Sequence, residues 1–219
     1  MMKKNLLISA LVTAGMFAAA PSAHAALASD AVLAFDPGVA GGPYNFIQSG
    51  SYFAMDTDGN GSFLPGERTG LTRTNGVELG TAQAVGDIDQ TWSFFSNNGN
   101  HYSASPTTVS NAAGNTADAD FSGWFVFWNN VNINMGSGAS NGLASIVCGT
   151  DCAAGDSFAL DYFATVPDDG STNFGGVSYA LHLEGSVADA AVIPVPAAVW
   201  LFGSGILGLI GVARRRKAA

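Results

Sequence analysis

Residues 56 to 67 read Asp-Thr-Asp-Gly-Asn-Gly-Ser-Phe-Leu-Pro-Gly-Glu. They satisfy the calcium-loop pattern D-x-[DN]-x-[DN]-G-x5-E at every constrained position. Asp56, Asp58 and Asn60 alternate so that their side-chain oxygens can converge on one hard cation. Gly61 allows the sharp turn, the Ser62 carbonyl offers a backbone ligand, and Glu67 closes the shell with two oxygens. Three carboxylates in an exposed loop predict weak calcium binding of extracellular grade, with Kd on the order of 10⁻⁴ to 10⁻³ M. The flanks do not suit a helix–loop–helix unit. Gly50–Met55 reads as a strand, while Pro65, Gly66 and Gly70 spoil the exiting segment for a helix. No second copy of the pattern accompanies it. The expectation is a lone loop between strands in which calcium stiffens the structure. The alternative is a cluster of Asx and Gly turns that merely matches the pattern.

Other reactive residue types are sparse. Beyond residue 25 the chain has two histidines, His101 in a polar stretch and His182 on the solvent side of an alternating segment. There is no H-E-x-x-H pair and no phosphate loop. The acidic pairs Asp87/Asp89, Asp118/Asp120 and Asp168/Asp169 could serve a two-carboxylate glycosidase by residue type. None stands out, and each is expected to be a solvated turn or strand edge, so no catalytic residue is assigned and the chain is expected not to be an enzyme. Cys148 and Cys152, in Cys-Gly-Thr-Asp-Cys, are the two cysteines. In an exported chain they predict a disulfide closing a tight loop, worth about 2 kcal/mol in the entropic picture. A metal role would need further ligands that the neighbourhood does not supply.

The elements that must position these residues are strands. Val177–Val187 alternates, with Val177, Tyr179, Leu181 and Leu183 on one side. Phe158–Val166 does the same through Phe158, Leu160, Tyr162 and Val166, and the turn-rich segment between them predicts a hairpin. Trp124–Trp128 is apolar on both faces and predicts a central strand covered on both sides. Trp92–Phe94, Tyr52–Met55, Val32–Phe35 and Val77–Leu79 are shorter candidates. Residues 97 to 119 are poor in large apolar groups and predict a long exposed loop with one edge strand near Thr107–Val109. About eight short strands with Gly, Asn and Asp turns predict an all-β antiparallel sandwich, with a jelly roll as one form it could take. The seventeen acidic residues all lie in this body against Arg68 and Arg73, a net charge of −15. Such a body repels phosphate backbones, which excludes nucleic acid as a partner and favours cations.

The ends carry addresses. Lys3 and Lys4, an apolar run from Leu6 to about Ala20, Pro21 and then Ala23-His24-Ala25 form a secretory signal, with cleavage by signal peptidase expected after Ala25. A retained anchor helix is the alternative. At the other end, Ala197–Ala213 is seventeen residues without a charge, about 25 Å long as a helix and just enough to span a bilayer. Arg214, Arg215, Arg216 and Lys217 follow, which places the tail inside and the body outside. Three domains result: a signal peptide over 1–25, an exported β-sandwich over 26–190, and a C-terminal segment over 191–219.

That last segment resembles the PEP-CTERM sorting signal in its VPxPA-like variant. The match rests on Pro194-x-Pro196-Ala197, the short Gly-containing apolar helix and the Arg214–Arg216 cluster, in that order. Ile193-Pro-Val-Pro lacks the Glu of the PEP form and the Leu of the commoner VPLPA form. The resemblance implies an exosortase-type processing enzyme as partner, in a Gram-negative bacterium that makes extracellular polysaccharide. The precursor would be anchored in the inner membrane before the protein reaches the cell surface or matrix. A plain single-span anchor is the alternative. The expected role is structural or adhesive and non-enzymatic. A calcium-dependent carbohydrate-binding module is the runner-up, with Trp92, Trp124, Trp128 and Tyr102 as the aromatics that would stack on sugars; a glycan-processing enzyme comes third.

Overall fold

The alternating segment near the C-terminal end of the body becomes the axis of the fold. A computed structural model describes residues 26–137 and 142–189. The signal, the sorting segment and the helices expected in both lie outside the described residues. Among those described, no helix is long and apolar enough to cross a membrane.

Fifteen strands are found in the described residues, almost twice the number expected. The first six are β1 (Val32–Phe35), β2 (Val39–Gly41), β3 (Phe46–Ser49), β4 (Tyr52–Met55), β5 (Arg68–Gly70) and β6 (Val77–Glu78). The next five are β7 (Trp92–Phe94), β8 (Asn97–Ser103), β9 (Val109–Ala113), β10 (Thr116–Asp120) and β11 (Trp124–Trp128). The last four are β12 (Val131–Asn134), β13 (Leu143–Cys148), β14 (Ser157–Thr165) and β15 (Ser178–Ala188). All ladders between them are antiparallel. The larger sheet runs β5-β4-β15-β14-β13-β10-β9, with β1 also on β15 and β6 on β1; the smaller runs β12-β11-β8-β7. β14 and β15 pair along nine residues, as the expected hairpin. The chain is all-β and antiparallel, consistent with a sandwich.

β15 is long enough to serve two partners on its other side. Tyr179–His182 pair with β4, and Gly185–Ala188 pair with β1. Glu184 manages the change of partner. Its carboxylate Oε1 accepts the Gly50 N–H at 2.6 Å, while Ser51 Oγ donates to its carbonyl and accepts its N–H. The Glu184 backbone N–H and carbonyl at the step are thereby both paired within the protein.

Tyr179, Leu181, Leu183 and Val187 of β15 and Phe158, Leu160 and Tyr162 of β14 face inward. They share one core with Trp92, Trp124, Val126 and Ile133 of the smaller sheet. Burial of the Tyr162 hydroxyl, which donates to the Met135 carbonyl at 2.9 Å, pushes its pKa up to about 12.

Two expectations need correcting. Residues 97–119 form no long loop; they supply β8, β9 and β10. Their inward positions are small or polar, such as Gly99, His101, Ala117 and Ala119, because they lie beneath large aromatics or meet buried polar partners. The strand Trp124–Trp128 is covered on one side. Trp124 and Val126 are buried, whereas Phe125 stacks on Tyr102 on the half-exposed outer face, rings 5.0 Å apart. At the outer edge of the larger sheet, the β9–β10 ladder slips register between Thr116 and Asp118, and Asn111 adopts φ 51°.

Cys148 and Cys152 form a disulfide. The loop it closes is held by Asp156 Oδ2, which accepts N–H bonds from Thr150, Asp151 and Cys152 at 2.8, 2.9 and 3.1 Å. Those backbone donors, Thr150 first, hold the Asp156 carboxyl below its ordinary range. A depressed folded-state pKa contributes stability above the unfolded value and loses it as pH falls through the folded one. Asp156→Asn should therefore lower Tm at neutral pH, and the deficit should shrink to nothing in the acid range. Thermal melts of both proteins from neutral into acid pH check this.

Candidate functional site

The loop of the calcium pattern is entered from β4 and left through a single 3-10 turn, Pro65–Glu67, into β5. It is the strand-flanked form expected. The backbone folds around its own carboxylates. Asp56 accepts the Asn60 N–H at Oδ1 (3.0 Å) and the Gly61 N–H at Oδ2 (2.8 Å). Asp58 takes a second bond from Asn60 N–H (3.1 Å), and Asn60 Oδ1 accepts the Ser62 N–H (2.8 Å). Gly61 sits at φ 78°, in the left-handed region that the motif demands of this position. Glu67 reaches back across the loop. Its Oε1 accepts the Thr57 N–H (2.8 Å), and its Oε2 accepts the Leu64 N–H (3.1 Å).

These bonds bring one oxygen each from Asp56, Asp58 and Glu67 within 4.8 Å of one another, so the triad could hold a metal ion. Asp56 is buried, Glu67 half-buried and Asp58 exposed, which leaves the group open on one side. Asn60 lies in the same turn with its side-chain oxygen turned to Ser62. Arg68, next in sequence to Glu67, does not neutralise the triad. Its guanidinium donates to the Phe63 carbonyl at 3.2 Å and lies 4.4 Å over the Tyr52 ring. Three carboxylates held this close repel one another unless a cation sits among them.

A second polar constellation escaped the sequence. Asp89 and His101, expected in a solvated turn and an exposed loop, are 0 and 1% exposed. His101 Nδ1 lies 2.5 Å from Asp89 Oδ2, and His101 Nε2 lies 2.9 Å from the Tyr179 hydroxyl. The arrangement fits an imidazole donating from Nδ1 to the carboxylate and accepting the phenol proton at Nε2. Asp89 also accepts from the Trp92 indole N–H (3.1 Å) and the His101 N–H (3.0 Å). Asn100 Nδ2 adds a bond to the Asp89 carbonyl (3.0 Å). Phe53, Trp92 and Trp124 pack around the imidazole with ring centres 5.3 to 5.5 Å away.

Burial raises the Tyr179 phenol well above its ordinary value. The Trp124 indole N–H is buried near that hydroxyl but out of hydrogen-bonding geometry, so it offsets only part of the effect. Although the order Asp–His–Tyr has the form of a proton relay, solvent does not reach it. The adjoining apolar cavity, lined by Phe53, Trp92 and Tyr179 among others, measures about 30 Å³, room for no more than a water. Asp89 lies three residues before Trp92 and twelve before His101, and that spacing was the available sequence signal.

The other expected groups are dispersed. Asp87 caps a turn through the Ala84 N–H, Asp169 caps one through the Ser171 N–H, and Asp118 accepts from Asn111 Nδ2. His182 does lie on the outer face of the larger sheet, 2.7 Å from Asp161 Oδ1 and 3.7 Å from Glu184 Oε2. Its bond to Asp161 and the two negative charges raise its pKa above the ordinary 6.5 despite partial burial. Of the proposed sugar-stacking aromatics, Trp92 and Trp124 are core residues, 7 and 1% exposed. Trp128 and Tyr102 are half-buried.

Two predictions follow from the histidines. His101→Ala strips a buried carboxylate of its main partner and should cost about 3–5 kcal/mol, whereas Tyr179→Phe, which removes one hydroxyl, should cost about 1 kcal/mol; denaturant melts of both variants compare the losses. His182, with its raised folded-state pKa, contributes stability that is full below 6.5 and is lost as pH rises through the folded value. Asp161→Asn should therefore lower Tm in mildly acidic buffer and leave it unchanged in alkaline buffer, read from melts across that range. Comparison with protein-family models, curated proteins and solved structures found no match to this chain.

Proposed function

We propose that this chain is an exported, non-enzymatic protein of a Gram-negative cell surface or extracellular matrix, structural or adhesive in role, in which calcium stiffens the 56–67 loop. The observation that carries the calcium part is the convergence of Asp56, Asp58 and Glu67 within 4.8 Å. The donors are all oxygen, and among the described residues no nitrogen or sulfur ligand joins them, which suits a hard cation that tolerates irregular coordination. Asn60 and the Ser62 carbonyl complete the set by the motif's logic. A body of net charge −15 draws such cations towards it. In this reading the metal replaces carboxylate repulsion with attraction and ties the β4–β5 connection down.

The export part rests on the sequence of the two ends. Signal peptidase releases residues 1–25. The 191–219 segment, through Pro194, Pro196, Ala197 and Arg214–Arg216, presents the precursor, N-out and C-in, to an exosortase-type enzyme. A disulfide at Cys148–Cys152 is the form that an oxidising compartment maintains. The non-enzymatic part is supported by the sealed environment of the Asp89–His101–Tyr179 relay. A second reading, a calcium-dependent carbohydrate-binding module in contact with extracellular polysaccharide, is favoured by one surface feature: Tyr44 and Phe46 are exposed and stacked beside the same loop.

Calorimetry and thermal melts of the 26–193 fragment, with calcium and with chelator, test the calcium part. Calcium should bind with Kd on the order of 10⁻⁴ to 10⁻³ M. At a hundredfold excess over Kd it should stabilise the fold by about 2.7 kcal/mol. Asp56→Ala should abolish both the heat and the shift. An unchanged melt in saturating calcium would remove the metal from this account.

A further inference from the structure

The β2–β3 hairpin belongs to neither large ladder; it forms a two-stranded sheet of its own. At its tip Tyr44 is 75% exposed and Phe46 42% exposed, their rings stacked 5.6 Å apart and 26° from parallel. A scattered apolar side chain on a surface needs no explanation, but a stacked aromatic pair beside an exposed Leu64 makes a patch. Phe46 also touches the exit of the acidic loop. The end of its ring rests against Gly66, where an added Cβ would stand 3.4 Å from two ring carbons. Gly66 sits in the 3-10 turn that ends with Glu67. The hairpin on one side and the Leu64–Glu67 turn on the other enclose an open groove of about 410 Å³, within the range of small-molecule sites. One wall of the groove is therefore the exit of the acidic loop, and Glu67 belongs to both.

The chemistry of the groove selects its occupant. Among the described residues no Lys, Arg or His lines it, and the surrounding body is strongly negative, so phosphate, sulfate and uronate groups are repelled. A flat aromatic face with the Gln48 amide in the wall matches a ring that has one face of C–H groups and a rim of hydroxyls. The electron-rich ring face attracts the polarised C–H groups, and the amide can both donate and accept at the rim. We infer that the Tyr44–Phe46 groove binds a neutral pyranose unit of a glycan, stacked on Tyr44 with its hydroxyls towards Gln48. The inference rests on the calcium reading for one point, the rigidity of the Leu64–Glu67 wall, and it follows that calcium strengthens sugar binding without touching the sugar.

Full-length chain in a detergent that carries no sugar headgroup, with calcium present, is titrated with cellohexaose, laminarihexaose and maltohexaose, and with alginate as the anionic control. At least one neutral hexasaccharide should bind and alginate should not. Tyr44→Ala should weaken that binding about tenfold while leaving calcium affinity unchanged, since Tyr44 supplies no ligand. Asp58→Ala should abolish calcium binding and weaken the sugar several-fold. Sugar binding that is lost in Tyr44→Ala but indifferent to calcium would uphold the groove and overturn the coupling. Failure of all three neutral sugars at millimolar concentration with folded, calcium-bound protein overturns the proposal, as does wild-type sugar affinity in Tyr44→Ala or preferential binding of alginate.

Discussion

One buried carboxylate governs how the two sheets meet. Asp89 has no exposed surface, and an ion placed there without partners would be prohibitively costly. The protein answers with donors from the His101 imidazole, the His101 backbone and the Trp92 indole. Each of these fixes something larger. The indole bond sets the plane of Trp92, which stands against Phe53 of the larger sheet with ring centres 4.5 Å apart. The imidazole carries the chain of bonds on to Tyr179 of β15. An isolated antiparallel backbone β-bridge between Arg73 and Asp89 ties the same residue to the segment leading away from the acidic loop. The apolar core would hold the sheets together in many relative positions, whereas this relay admits few.

The charge distribution works in the opposite direction from the core. Apart from Arg68 and Arg73, the Asp, Glu, Lys and Arg side chains of the body are all carboxylates, and the chain absorbs them locally. Asp156, Asp169 and Asp56 each accept backbone N–H groups within a few residues. Asp161 and Glu184 share His182. The 56–67 loop is where that strategy meets its limit, because three carboxylates gather there and meet only neutral donors of the loop itself, its backbone N–H groups, the Thr57 hydroxyl and the Asn60 amide. The same loop exit forms a wall for the exposed aromatic pair, so the acidic cluster and the exposed rings meet on one short segment.

Much of this was legible in the residues. The alternation of Phe158–Val166 and Val177–Val187 marks strands whose expected inward residues are buried except Val177, which lies just outside β15 and is half-buried, because large apolar groups at every second position leave one face no alternative. The loop was legible for a different reason: its ligands are spaced by backbone geometry, which local sequence controls. β8 through β10 were not legible. Gly99, His101, Ala117 and Ala119 face the core without being large or, in one case, apolar. What makes them inward-facing is a neighbour from elsewhere in the chain, such as Asp89 for His101. Long-range compensation of this kind leaves no periodic trace. Asp89 was misread for the same reason, since a carboxylate is placed on the surface by default until a buried donor set is known. The Tyr44–Phe46 pair was also missed, because the sequence shows neither the exposure of the rings nor the glycine turn against which Phe46 rests.

The slipped register at the rim of the larger sheet bears on how many copies can crowd together. A straight outer strand offers its free N–H and C=O groups to any neighbour of the same kind, and at high protein concentration that invites endless lateral stacking. β9 breaks that row with Asn111 in the left-handed region and with the bulge against β10. A second molecule approaching this rim meets donors and acceptors out of step with its own. The irregularity thus favours solitary domains over fibres, and leaves contact with the surroundings to side chains rather than to the backbone.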